Sequence, residues 1–262
     1  MGLTTLGVIG GTGWLGGALL RPALAKGFVA AADLILSSRS GKTAGFEAWP
    51  DIRFVTDNQF LAAQSDIVIL SVRPEDLDAL NLDLSGKLVI SVMARVPAEA
   101  LVARFKSERV IRAMPNACAE QGLSFTPWLS TPGASAADAD FADSFFACSG
   151  KTTRLSTESE LDYFTALTGS GPAFIAAFAD AMIRDAIENG VAADLADAAV
   201  RQLFHGSGAW MAAASETPAE TVKVFTNYGG TTAAGLTAML SAGIAGPISK
   251  GLAAARDKAA KG

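Results

Sequence analysis

Three residue types are nearly missing from this 262-residue chain, which has two cysteines, one histidine and two tyrosines. Cys118 and Cys148 lie outside any paired ligand spacing, which excludes a disulfide framework and a zinc site, so no metal is expected. Unbridged thiols suit a reducing compartment, and a cytoplasmic location is expected. His205, between Leu203-Phe204 and a run of small residues, reads as a structural helix residue rather than a proton relay. Charge is sparse as well: 18% of residues are charged, the net charge is -5, and Lys and Arg are scattered. No basic stripe tracks a phosphate backbone, which excludes nucleic acid as a partner. No stretch approaches the ~20 uninterrupted apolar residues of a membrane span, so a soluble chain without a membrane partner is expected. The start of the chain runs into Leu6-Gly7-Val8-Ile9 without a basic leader, which predicts no export.

What the sequence does have is alternation. Short apolar runs at Leu6 to Ile9, Leu34 to Leu36, Phe54-Val55, Ile67 to Leu70, Leu88 to Val92 and Val110-Ile111 are separated by helix-length segments. Such a pattern reads as buried parallel strands of a doubly wound α/β sheet. Further strands are expected at Leu123 to Phe125 and Thr152 to Leu155, with a helix through Ala134 to Cys148 between them. This predicts a first domain over residues 1–157 and a helical second domain over 158–262. In the second, Ile175, Phe178, Met182 and Ala186 recur at helical spacing, and Ala173, Phe174, Ala176 and Ala177 make the other faces apolar too. A helix apolar all round must be covered, and a small helical domain cannot do that alone, so a dimer interface is expected. Thr217-Pro218-Ala219-Glu220 marks a helix start by its cap, its proline and its capping-box Glu.

The first strand leads directly into Gly10-Gly11-Thr12-Gly13-Trp14-Leu15-Gly16, which opens a helical segment. Gly11-x-Gly13-x-x-Gly16 in that setting has a mechanism: a tight turn, bare backbone against a pyrophosphate, and close helix packing, with the diphosphate on the helix N-terminus. A glycine-rich turn without a ligand is the plain alternative. The same residues also read as Gly10-x-x-Gly13-x-x-Gly16, the spacing of a short-chain dehydrogenase or a nucleotide sensor. That dehydrogenase chemistry needs Tyr-x-x-x-Lys, whereas Leu167 lies four after Tyr163 and Thr232 four after Tyr228. The enzyme reading fails there, and a non-catalytic sensor survives.

The second strand ends in Ser37-Ser38-Arg39-Ser40, where an NAD-preferring domain places an acid for the ribose hydroxyls. A charge-assisted contact of Arg39 with a 2′-phosphate contributes ~1.5–3 kcal/mol, or about 10- to 150-fold in affinity. NADP(H) is therefore expected, with Ser38, Arg39 and Ser40 around the phosphate; a solvated surface arginine is the alternative. Near the other end, Gly229-Gly230-Thr231-Thr232 precedes the helical pattern Ala233 to Leu240. Backbone N–H groups and hydroxyls there suit an anion such as a substrate carboxylate, or form a plain helix cap.

Taken with the loop, Arg112-Ala113-Met114-Pro115-Asn116 and Thr165-Ala166-Leu167-Thr168-Gly169-Ser170-Gly171-Pro172-Ala173-Phe174 resemble the pyrroline-5-carboxylate reductase family. Gly229 to Thr232, Val72-Arg73-Pro74 and Asn58 match it as well, over essentially the whole length and in order. The resemblance implies a Rossmann-type NADP-binding domain followed by an all-helical dimerisation domain. It implies reduction of the cyclic imine L-1-pyrroline-5-carboxylate to L-proline in proline biosynthesis, by hydride from NADPH. Around the cofactor it places Gly11, Thr12, Gly13, Trp14, Leu15, Gly16, Asn58, Val72, Arg73, Pro74, Ala94, Met114 and Asn116. Around the substrate it places Ser170, Gly171, Asn227, Tyr228, Gly229, Gly230 and Thr231, with Thr232 near the imine nitrogen as the catalytic residue. It further implies a homodimer whose active site is shared between subunits; larger rings of dimers are known in the family, and nothing in these residues requires one.

The sequence departs from the family at Asn227-Tyr228, where Ser-Pro is usual, at Cys118, where a proline is usual, and at Met93-Ala94-Arg95, where small residues end in glycine. Tyr228 adds a ring and a hydroxyl where proline would stiffen the loop. The imine pocket is thereby open to a different cyclic imine, and a catalytically silent NADP-binding regulator is the alternative from another class.

Overall fold

The computed structural model describes residues 4–39, 41, 43 and 45–261. Ser40, expected at the 2′-phosphate, lies outside the described residues. Two compact units divide the chain: Met1–Pro172 with Ala255–Gly262, and Ala173–Ala254.

The first unit is built on eight strands, β1 (Leu6–Ile9), β2 (Leu34–Ser37), β3 (Arg53–Val55), β4 (Ile67–Leu70), β5 (Leu88–Ser91), β6 (Val110–Ala113), β7 (Ser124–Ser130) and β8 (Gly150–Arg154). They lie in the order β3-β2-β1-β4-β5-β6-β7-β8. Between them run α1 (Trp14–Ala25), α2 (Asn58–Gln64), α3 (Ala98–Phe105) and α4 (Ala136–Ala147), and α5 (Glu158–Phe164) follows. Strands β1 to β6 are parallel, with Leu6 opposite Leu34 on one side and Ile67 on the other. Their short apolar runs are continuous because both faces are covered, so alternate residues enter opposite layers. Leu6, Val8, Leu34, Leu36, Ile67 and Ile69 pack into one core, and Ile9, Ile35, Val68 and Leu70 into the other.

The sheet departs from a wholly parallel reading at β7. That strand runs antiparallel to β6, with Ala113 opposite Trp128, and β8 then pairs parallel to β7. Strand β7 also extends well past the expected Leu123 to Phe125, through Pro127. A proline interior to a central strand argues against strand from sequence, yet its carbonyl still accepts the Met114 N–H at 2.9 Å. Helix α5 packs on this side of the sheet: Leu161 is fully buried, and Phe164 stacks on Phe125 with ring centroids 5.8 Å apart.

A π-turn at Thr165–Gly169 precedes α6 (Gly171–Glu188), followed by α7 (Ala193–Ala213), α8 (Pro218–Tyr228), α9 (Gly230–Ser241) and α10 (Ala245–Ala260). Helix α8 starts as its sequence predicts: Thr217 accepts the Glu220 N–H and the Glu220 side chain returns to the Thr217 N–H. In the second unit, edge-to-face pairs join Phe178 to Phe204 and Trp210 to Phe225. Within one chain no residue of α6 is buried, and Phe174, Ile175, Phe178, Leu203, Trp210 and Leu240 remain exposed. His205, read as a structural helix residue, is exposed in the single chain too. The helical run Glu158–Glu188 is long and apolar enough, by length and composition, to cross a membrane, with a mean hydropathy of 1.3 in its most apolar window. It escapes a search for uninterrupted apolar runs because polar residues punctuate it.

Candidate active site

The nucleotide loop owes its shape to backbone contacts that only glycine permits. Gly10 has φ +78°, and a Cβ there would meet the Ser71 carbonyl oxygen at 2.5 Å. At Gly16 a Cβ would lie 2.8 Å from the Gly10 carbonyl oxygen and 2.9 Å from that of Gly11. The Gly13 N–H donates to the Gly10 carbonyl at 2.9 Å, closing the turn. Helix α1 then begins with Gly13 as its cap residue and no side chain capping it, so its first N–H groups and positive dipole end are presented to the cleft. Trp14 is exposed at the first helical position, whereas Leu15 packs against the core.

At the carboxyl ends of β1, β2 and β4 a cleft of about 680 Å³ is lined by Gly10, Thr12, Gly13, Ser38, Arg39, Asn58, Val72 and Arg73, among others. Expected cofactor residues from four separate chain segments thus meet in one place. Asn58 is held at the first turn of α2, where Asp57 accepts the Gln59 and Phe60 N–H groups. The Ser37 hydroxyl donates to Asn58 Oδ1 at 2.6 Å, tying α2 to the end of β2. Pro74 opens a 3₁₀ turn, Pro74–Ala79, with Arg73 as its cap residue. That turn brings in a carboxylate that the sequence reading did not consider: Asp76 also lines the cleft, 3.5 Å from the Arg39 guanidinium.

The loops after β5 and β6 carry Ala94, Met114 and Asn116, which do not line that cleft, and neither do Gly11, Trp14, Leu15, Gly16 and Pro74. Ala94 is followed by Arg95, which adopts a left-handed φ of +65° and pairs with Glu75 at 2.5 Å. Met114 and Asn116 are buried, and Asn116 caps its own turn by accepting the Cys118 N–H at 2.9 Å. The Gly169-Ser170 turn approaches Met114: a Cβ at Gly169 would lie 3.4 Å from the methionine Cγ. Ser170 donates back to the Thr165 carbonyl through its N–H at 2.9 Å and its hydroxyl at 3.3 Å, and space around Gly171 is open. Arg112 is buried and pairs with Glu158, whose other oxygen accepts the Ala98 N–H at 2.8 Å. Burial pushes the neighbouring Asp162 carboxyl up, with the Arg112 charge opposing and Glu158 assisting. Among the described residues, no group of three or more His, Cys, Asp or Glu side chains is placed to hold a metal ion.

In the second unit Asn227 and Tyr228 end α8, and Gly229, at φ +83°, turns the chain into α9. The helix starts at Gly230, earlier than the expected Ala233, so Thr231 and Thr232 form its first turn and no side chain caps it. Thr231, Thr232 and Tyr228 are exposed, Tyr228 at 89%.

Residues 158–262 match the family model for pyrroline-5-carboxylate reductase dimerisation, and residues 5–95 match that for NADP oxidoreductase, coenzyme F420-dependent. The chain is 31% identical over 241 residues to the pyrroline-5-carboxylate reductase of Methanosarcina acetivorans, covering 89% of each. This chain belongs to the pyrroline-5-carboxylate reductase family. It is an oxidoreductase of that family with an NADP-binding domain. The pyrroline-5-carboxylate reductase of Synechocystis sp. is 28% identical over 255 residues, 95% of each chain. A crystal structure of Plasmodium falciparum pyrroline carboxylate reductase with NADP bound shares the fold at a TM-score of 0.86 and 22% identity, covering 100% of this chain and 98% of that one. The apolar helices of residues 158–262, uncovered within one chain, fall in the family's dimerisation region.

Proposed function

We propose that this protein reduces L-1-pyrroline-5-carboxylate to L-proline with NADPH, as a cytoplasmic homodimer, with residues 1–157 holding the cofactor and residues 158–262 supplying the dimer contact and the substrate site. Similarity over nearly the full length to relatives named for this reaction carries the reading. The cleft fits a dinucleotide on its own geometry: the glycine cradle would be filled by any Cβ, and the α1 N-terminus is uncapped. Gly11, Gly13 and Gly16 would cradle the pyrophosphate, Arg39 and Ser38 would take the 2′-phosphate, and Asn58, Val72 and Arg73 would line the adjoining walls. When bound, NADPH supplies a hydride to the imine carbon.

A protonated cyclic imine is already electrophilic, so the protein's part is to orient it and exclude water. The uncapped start of α9 suits the substrate carboxylate, which its N–H groups and the hydroxyls of Thr231 and Thr232 would hold. Tyr228, next to that turn, favours a second reading, a paralogue reducing a different cyclic imine. Following NADPH oxidation with pyrroline-5-carboxylate and with its six-membered homologue separates the readings. Preference for the first supports this proposal, and preference for the second makes the protein a paralogue. Cofactor binding without turnover on either would make it a silent NADP-binding regulator.

A further inference from the structure

The second strand lacks the acid with which NAD-preferring domains hold the ribose hydroxyls. The tertiary structure delivers one from elsewhere. Asp76, on the 3₁₀ turn after β4, reaches the cleft wall that Ser38 and Arg39 share, and its carboxylate lies 3.5 Å from the Arg39 guanidinium. We infer that Asp76 is a specificity-determining residue that sets how strongly this site discriminates between NADPH and NADH. The inference rests on the cofactor reading of the cleft given above.

The physical case turns on one carboxylate facing two different ribose substituents. Beside an unphosphorylated ribose, a carboxylate accepts hydrogen bonds from the hydroxyls, which are charge-assisted. Beside a 2′-phosphate held by Arg39, it sits within a few ångströms of a like charge and also competes for the guanidinium. Arg39 is 89% exposed and Asp76 36%, so the ion pair itself adds little rigidity, as exposed pairs do. Its consequence lies in the field it sets at the phosphate position. Water and salt screen that field only in part over such distances, because the Debye length is about 8 Å at physiological ionic strength.

The test is equilibrium binding of NADPH and NADH to the full-length protein and to its D76N and R39A variants, at low salt and at high salt. Asp76→Asn should weaken NADH roughly three- to tenfold and tighten NADPH several-fold, less than the full worth of a charge-assisted contact because asparagine keeps a neutral acceptor. The NADPH gain should shrink at high salt. Asp76→Asn moving both cofactors equally, or neither, overturns the assignment. Arg39→Ala is the separate control: it should weaken NADPH far more than NADH. If it moves both alike, the cofactor reading of the cleft fails and this assignment fails with it, whereas a selective Arg39 effect with an inert Asp76 rejects Asp76 alone.

Discussion

The carboxylate of Glu158 joins two loops that leave the sheet side by side. One oxygen accepts the Ala98 N–H at the start of α3, 2.8 Å away, and the other pairs with Arg112 at the end of β6. Arg112 is 3% exposed, and Glu158 is the carboxylate it pairs with. The chain preceding Ala98 carries Ala94 and Arg95, and the chain following Arg112 carries Met114 and Asn116. One side chain thus sets the relative height of both loops.

Truncating Glu158 to Ala should therefore destabilise the first unit by about 2–3 kcal/mol, the cost of leaving a buried charged donor without its acceptor. Glu158→Gln keeps one acceptor oxygen, enough for one of the two donors, and should lose less than Glu158→Ala. Thermal melts of the two variants check this, and equal melting temperatures for the parent and Glu158→Ala would show the pair to be dispensable.

Gly16→Ala places a methyl 2.8 Å from the Gly10 carbonyl oxygen and 2.9 Å from that of Gly11. Backbone must shift to admit it, at a cost of about 1–3 kcal/mol, and the loop that shifts is the one presenting the α1 N-terminus. NADPH affinity should fall by about tenfold or more, measured by fluorescence titration. Gly206→Ala is the control, since a Cβ there meets nothing within 4 Å.

Asp138 supplies a pH dependence of stability. Burial works to raise its pKa, but bonds from Arg109 at 2.6 and 3.0 Å and from Ser135 outweigh it, and the carboxyl is held below its usual value. With the folded-state value lowered, its contribution is present above the unfolded-state range, near pH 4, and fades as pH falls through the folded value. Asp138→Asn should lower stability at pH 7 by about 1.5 kcal/mol, one hydrogen bond to a charged group. The difference from the parent should shrink toward pH 2 in urea titrations; a gap constant over that range would exclude this ion pair as its source.

Thr232 lies in the first turn of α9, exposed within one chain. Under the proposed reaction, Thr232→Ala should raise KM for the imine and lower kcat while leaving NADPH affinity intact. Steady-state kinetics paired with cofactor titration decide this. Unchanged turnover would remove Thr232 from the site, and a parallel loss of NADPH binding would point to a general disturbance instead.

The strands were legible because each is short and apolar on both faces, so Leu6 to Ile9 and Ile67 to Leu70 were read to the residue. The glycine loop was legible for the same reason of locality: turn, strand and helix all lie within a few residues of Gly11. The antiparallel β7 was harder, since Pro127 interrupts its apolar pattern and nothing local states which way a strand runs. Glu158 and Asp76 carried no local signal at all. Each is an ordinary charged residue on a helix or turn until folding brings it beside Arg112 or Arg39.

Sequence alone was sufficient for the family resemblance, the nucleotide loop and the scarcity of residues for metal or short-chain dehydrogenase chemistry, because those depend on residue identity and near-neighbour spacing. The pairing of distant charges needed the tertiary structure. A carboxylate's effect on a guanidinium falls with distance in space, and Asp76 is adjacent to Arg39 only because β4 and β2 flank β1 in one sheet.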